Sequence, residues 1–469
     1  MAAKIARHDR RAEAEGEVMN ASDLIPSRVI SMRLLRSGLV LMALLICAPL
    51  QARAIPAIQE ARLDNGLRVL LMEAHNVPMV SMRLMLPAGS SHDPKGHGGA
   101  ASLLADMLTD HTARHDNVAW SGLLDYDAIR LGASAGNDAL SVSMTVLTEN
   151  LPQGFSAMAE AVMHPGWDAK RFGILKTNAV SAAQKAQEEP RDRGSEAIRK
   201  LLYGDYPYGH RSSGSVASLK RVSLGDLKTL YRDQVLPKGA VLAVSGDIRM
   251  SALLHRLKPL LADWKGTPKQ GVFYLRPASP HAAKTKHVEM DTEQAHLLFA
   301  RLGPDRRSDD FFPAFVMNHI LGGGGFSSRL MEEIREKRGL AYGAYSYFMP
   351  LAAPGPFIVA LQTRADQADT AAKIVRKVLR QMYEGHIKKA WLKAAKDNLV
   401  GGFAHRMDEN HKRVRLIGMI GFYDLPLDYL QSWTNHVNAV TLAQVKAVAR
   451  RYLNPDDWDY VRVGPADRH

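Results

Sequence analysis

The residues best suited to chemistry in the first third of the chain lie within 96–115, "GHGGAASLLADMLTDHTARH". His97 precedes an apolar run, and His111 and His115 follow it. Two histidines four apart on one helical face can reach a single metal ion, with a carboxylate between them as base for a metal-bound water. The run that reads as a helix, Ala100 to Leu108, contains no histidine, and no carboxylate lies between His111 and His115. A second candidate is the glycine run 322–325. A phosphate cradle there would need a following Gly-Lys-Ser/Thr, which is absent, so these glycines are expected to allow a tight turn into a helix starting near Ser327. The chain has one cysteine, Cys47, which lies inside an apolar N-terminal run. It offers neither a disulfide framework nor a thiolate metal site.

The elements that must position these residues follow from periodicity. Asp64-Asn65-Gly66 is a turn between two apolar runs. Val80, Met82, Leu84 and Leu86 alternate with Ser81, Arg83 and Met85, which predicts a strand, and residues 139–147 repeat that pattern. A helix is expected from Ala100 to about Thr109. An amphipathic helix carries Phe155, Met158, Ala159 and Val162, and a long polar helix spans 168–187. The second half repeats this grammar, with a helix that places Ala371, Ile374, Val375, Val378 and Met382 on one face. Leu224/Leu442, Lys228/Lys446, Arg232/Arg450, Pro237/Pro455 and Gly246/Gly464 are identities at one offset of 218. That points to two copies of one domain. The expected division is an N-terminal extension over 1–54, a first domain over 55–265, a linker over 266–287 and a second domain over 288–469. The fold class is α+β: two homologous domains, each a mainly antiparallel sheet packed with helices.

The chain has 469 residues, with 46% hydrophobic and 23% charged residues, an ordinary globular composition. Arg33 and Arg36, the apolar stretch 39–50 and Ala52-Arg53-Ala54 follow the order of a secretory signal starting at Met32, with cleavage after Ala54. Residues 1–31 then precede the true start. Bulky Ile46 before Cys47 makes a lipoprotein site a poor fit. The net charge is +13, and removing 1–54 leaves about +10. No aromatic-and-basic motif points to nucleic acid. The expected product is an exported or periplasmic protein with no stable membrane span.

Three stretches carry a resemblance: "LDNGLRVLLMEAHNVPMVSMRLMLPAGS", "GGAASLLADML" and "LGGGGFSSRLMEEIREKRGLAYGAYS". The chain resembles the insulinase/pitrilysin family of zinc peptidases, which includes the mitochondrial processing peptidases and the bc1-complex core proteins. The resemblance covers nearly all of 57–469 and implies the processing-peptidase fold. Catalytic members carry His-x-x-Glu-His on the helix after the first hairpin, and a later glutamate completes the zinc site. The matching positions here are Ser102, Leu103, Leu104, Ala105 and Asp106, with Ser181 or Ala182 at the later ligand. The ligands and the base are missing, so no metal is expected in this chain. The resemblance places His111 and His115 in a surface loop after the helix, with His97 solvated or capping.

The family's arginine and tyrosine, seven residues apart, which hydrogen-bond the substrate backbone and help stabilise the oxyanion, match Arg335 and Tyr342. The alternative for that pair is packing, with Arg335 paired to Glu332 or Glu333. The resemblance implies a catalytically incomplete subunit of an exported heterodimeric peptidase. A partner of the same family would supply zinc and base, and the substrate would be an extended peptide. Two alternatives stand beside it: a structural subunit like the bc1 core proteins, and a peptidase with a metal site relocated to His111, His115 and a nearby acid.

Overall fold

The computed structural model describes residues 55–275, 278 and 281–466. The expected signal sequence, Cys47 and the expected cleavage point after Ala54 lie outside them. Among the described residues eleven strands form two sheets. The first holds β1 (Gln59–Arg62), β2 (Arg68–Glu73), β3 (Met79–Leu86), β4 (Arg130–Ala135), β5 (Leu140–Leu147) and β6 (Val241–Gly246) in the order β1-β2-β6-β3-β5-β4. The second holds β7 (Thr285–Glu289), β8 (Gln294–Leu302), β9 (Ala344–Phe348), β10 (Pro356–Arg364) and β11 (Asp459–Gly464) in the order β7-β11-β8-β10-β9. With β1 set aside, the two orders are the same. In each sheet the last strand of the copy inserts beside the first, parallel to it (β2 with β6, β7 with β11), and the other pairs are antiparallel.

The offset of 218 holds at the level of elements. The helix Leu224–Gln234 and β6 recur 218 residues on as the helix Leu442–Tyr452 and β11. Both helices start in the same way. Ser223 caps the first and exchanges bonds with Asp226, and Thr441 caps the second and exchanges bonds with Gln444. Each box satisfies two of the N–H groups that a helix start leaves unpaired.

Each copy buries one helix on the other copy's sheet. The helix Asn410–Phe422 lies on β2, β3 and β6, and the helix Pro190–Tyr203 lies on β8 and β11. The sequence of β2 explains why both its faces are apolar. Val69 and Leu71 belong to the core of the first copy, while Leu70 and Met72 face a core built mainly from the second. Glycines set the close approach. A Cβ on Gly421 would stand 2.6 Å from side-chain atoms of Leu70 and Val241, and one on Gly194 would stand 2.6 Å from Leu298. A buried carboxylate ties the copies again. Asp138, in the turn between β4 and β5, accepts hydrogen bonds from the hydroxyls of Tyr208 and Tyr423 and, at 2.8 Å, from the backbone N–H of Ala352. Residues Ile55–His469 are accordingly one compact unit. Among the described residues no helix is long and apolar enough to cross a membrane.

Candidate functional site

The helix Ala100–Asp110 begins without a side chain at its N-cap, because Gly99 sits at a φ of 100°. Asp93 takes over the capping role. Its carboxylate accepts the N–H groups of Gly99 and Ala101, each at 2.7 Å. Burial pushes the Asp93 carboxyl up to about 7 against these two bonds. Gly98 and Gly99 let this start nest against the helix Val216–Arg221, where a Cβ on Gly99 would strike Leu219 at 2.6 Å.

The positions that match a zinc motif now serve packing. The Ser102 hydroxyl donates to the carbonyl of Ser212 at 2.9 Å. Ala105 is sealed in the core. Asp106 is open to solvent on its outer side, but the surrounding protein and the charge of Asp110, one turn on, push its carboxyl up. Ser181 and Ala182 are exposed on the helix Ala169–Glu188, which packs against Ala100–Asp110. Both helices that would carry the ligands therefore stand side by side. A hydroxyl, a methyl and one carboxylate supply neither two imidazoles nor a base, so zinc does not fit these residues. Among the described residues no group of three or more His, Cys, Asp or Glu could hold a metal ion.

The flanking histidines depart from the expectation of a surface loop. His111 is 5% exposed. Its Nδ1 lies 2.8 Å from Asp110 Oδ2, and its Nε2 accepts the backbone N–H of Asp168 at 3.3 Å. The ring is buried because Gly166 leaves room for it: a Cβ there would sit 2.0 Å from the imidazole. His115 is half-buried, with Nδ1 2.9 Å from Glu160 Oε1 and its ring tilted against Trp120. Each histidine thus has its own carboxylate and they share none, which removes the geometry of a relocated metal site. His97 is half-buried and bonds Asp226 at 2.9 Å, supporting the capping box of the helix Leu224–Gln234.

In the second copy the segment matched by "LGGGGFSSRLMEEIREKRGLAYGAYS" is irregular. Two π-helical turns, His319–Gly323 and Glu332–Glu336, flank a three-residue α turn, Arg329–Met331, capped by Ser328 rather than Ser327. Gly325 has a φ of 59° and makes the expected turn. Gly322 serves another purpose, because a Cβ on it would lie 2.4 Å from the backbone nitrogen of Ser346 in β9. Such π turns are uncommon and often mark functional positions.

Arg335 and Tyr342 project from this segment to different surroundings. Glu333 is bonded by Arg329, Lys337 and Arg338, and Glu332 by Arg329 and Lys337, so Arg335 pairs with neither. Its guanidinium lies over the Phe326 ring, 4.5 Å from the centroid. Tyr342 is 91% exposed. It lines a cleft of about 590 Å³ with Tyr345, Tyr347, Gln294, His296 and Arg191. Arg335 is not among the lining residues. Burial and the Arg191 charge push the His296 imidazole down, and burial pushes the Tyr347 phenol up. The cleft offers phenols, an amide and a guanidinium, which are groups that bond a peptide backbone without cleaving it. Tyr345 and Tyr347 were readable in principle as the alternate residues of "AYSYF". Arg191 reaches the cleft only through the exchanged helix Pro190–Tyr203, so no local signal marked it.

Comparison with known proteins identifies the family. Residues 68–214 match the family described as insulinase (peptidase family M16), and residues 221–399 match that described as peptidase M16 inactive domain. A crystal structure of a peptidase M16 inactive domain from Pseudomonas fluorescens is 31% identical, covers 88% of this chain and 98% of its own, and superposes with a TM-score of 0.83. A Helicobacter pylori protein named non-peptidase homolog YmxG is 26% identical over 84% of this chain and 91% of its own length. A Bacillus subtilis protein named uncharacterized zinc protease YmxG is 23% identical over 86% and 97%.

Proposed function

The chain belongs to the insulinase (M16) peptidase family as a non-peptidase homologue, and from that premise we propose that it is the substrate-binding, non-catalytic subunit of a heterodimeric zinc peptidase. A partner of the same family supplies the zinc and the base. This chain supplies part of the chamber wall and holds an extended peptide. The observation that carries the reading is Tyr342, a large aromatic 91% exposed at the rim of a polar cleft, in a chain whose own metal positions are Ser102, Ala105 and Asp106. An unpartnered phenol in that place has a use when a second chain closes over it. A further support is β4, the edge strand beside the helix Ala100–Asp110, whose open side can take an added strand.

The test is steady-state kinetics on this chain reconstituted with a family member that bears His-x-x-Glu-His. A charge-assisted hydrogen bond is worth about 1.5–3 kcal/mol. Arg335→Ala should lower kcat/KM roughly 10- to 150-fold, and Tyr342→Phe, which loses one neutral donor, about 3- to 10-fold. The complex should stay intact by size-exclusion chromatography. The position of Arg335 over Phe326, outside the cleft, favours a second reading in which the chain is architectural. Wild-type rates from both variants in an intact complex would establish that reading instead. We also propose that the protein is exported, so that N-terminal sequencing of periplasmic material should begin at Ile55. Material still carrying 39–50 would contradict this.

A further inference from the structure

We propose that the second copy carries a binding site for an organic oxyanion on an aromatic or branched apolar body, in a cleft beside the helices Phe311–Asn318, Asn410–Phe422 and Tyr429–Ala439. The cleft measures about 680 Å³. Arg306, Arg406 and Arg415 line it along with Phe315, Phe403 and Trp433, and no aspartate or glutamate does. Lys412 lines it too, but Asp408 and Glu409 already hold that amine at 2.8 and 2.9 Å. Among the described residues none of the three guanidiniums has a carboxylate within 4.0 Å. Arg306 lies near the phenol of Tyr429, and its buried Nε has no hydrogen-bond partner. Asp138, the carboxylate whose charge reaches Arg306, is already engaged by Tyr208, Tyr423 and Ala352. Burial pushes the guanidiniums of Arg306 and Arg406 down.

The floor beneath these charges is aromatic. Arg406 lies over Phe315 and Trp433 at 5.7 and 5.6 Å, and Phe403 stacks parallel on Trp433 at 4.3 Å. Burial strips water from the Arg306 guanidinium and leaves its Nε unpartnered, while Arg406 and Arg415 line the same cleft from its exposed side. An oxyanion supplies the missing partner, because guanidinium forks match carboxylate and phosphate oxygens. A bare inorganic ion would leave the aromatic floor wet, so the ligand must also carry apolar surface. One wall of the cleft, the helix Phe311–Asn318, is the topological counterpart of the helix Ala100–Asp110. The helix Phe311–Asn318 precedes edge strand β9 as Ala100–Asp110 precedes edge strand β4. The helix Lys389–Gly401 packs against the former as Ala169–Glu188 packs against the latter. Neither Arg335 nor Tyr342 lines the cleft, and of the peptide-cleft residues only Tyr347 is shared, so the proposal is testable apart from the peptidase-subunit reading.

Isothermal titration calorimetry on the full chain tests it with 3-phenylpropionate, phenyl phosphate and the neutral 3-phenylpropanamide. At least one anion should bind about tenfold or more tightly than the amide, and more weakly as salt rises. The ratio of the two anions distinguishes a carboxylate source from a phosphate source. Arg406 and Arg415 are exposed, so the double variant Arg406→Gln/Arg415→Gln should keep the wild-type urea midpoint. It should lose about tenfold or more in anion affinity and leave the amide unchanged. Equal binding of amide and anions would overturn the proposal. So would no anion binding up to about 20 mM, or wild-type anion affinity in the double variant.

Discussion

The two copies share a strand order but treat their chemistry-bearing segment in opposite ways. In the first, the helix Ala100–Asp110 is regular and closed in. Asp93 caps it, Ser102 is tied to Ser212, and Ala105 is sealed. In the second, the stretch after the helix Phe311–Asn318 breaks into π turns around glycines, and Phe326 and Tyr342 stand 66% and 91% exposed. A helix relieved of metal ligands can give all its positions to packing. A segment that holds aromatic and cationic groups out in solvent accepts an irregular backbone, and neighbouring charges must pin it. Glu333 does so here. Burial pushes its carboxyl up, but the bonds from Lys337 and Arg338 outweigh that and hold it at about 2.

The comparison is most easily broken at the group that joins the copies. Asp138→Ala strands two buried phenols and should cost about 1–3 kcal/mol for each, read as a lower urea midpoint. If the copies were independent, the transition would instead split in two. Next come the exchanged helices. Gly421→Val and Gly194→Val force side chains onto the opposite sheet and should cost about 1–3 kcal/mol each. A loss in one variant only would show that the exchange is unequal. Third is Glu333. Its folded pKa of about 2 lies below its ordinary 4.5, so its contribution is full above pH 4.5 and fades as pH falls toward 2. Glu333→Gln should flatten that acid limb and cost about 1–3 kcal/mol at pH 7, measured as urea midpoints against pH. The smallest effect is at the caps. Ser223→Ala and Thr441→Ala should each cost about 1 kcal/mol, and equal losses would confirm that the two helix starts are equivalent.

Much of the fold was legible because its signals are local. β3, β5 and the helices Leu151–Met163, Ala169–Glu188 and Ala368–Tyr383 were readable from two- and 3.6-residue periods. β4, "RLGASA", was not, because its small residues at an open edge carry no strong alternation. Of the candidate site, the missing ligands were plain at Ser102, Ala105 and Asp106. The burial of His111 was not, since it depends on Gly166, 55 residues away, and on Asp168.

By itself the sequence determined that two like halves exist and that the first has lost the donors zinc requires. Residue type and spacing suffice for both conclusions, because ligand chemistry and repeat offset are properties of the chain. Only the tertiary structure decided that each half covers the other's sheet, that Tyr342 reaches a cleft while Arg335 turns to Phe326, and that Arg306, Arg406 and Arg415 line one cleft with no carboxylate in its wall. Those outcomes depend on which faces meet across more than a hundred residues, and no local period encodes that.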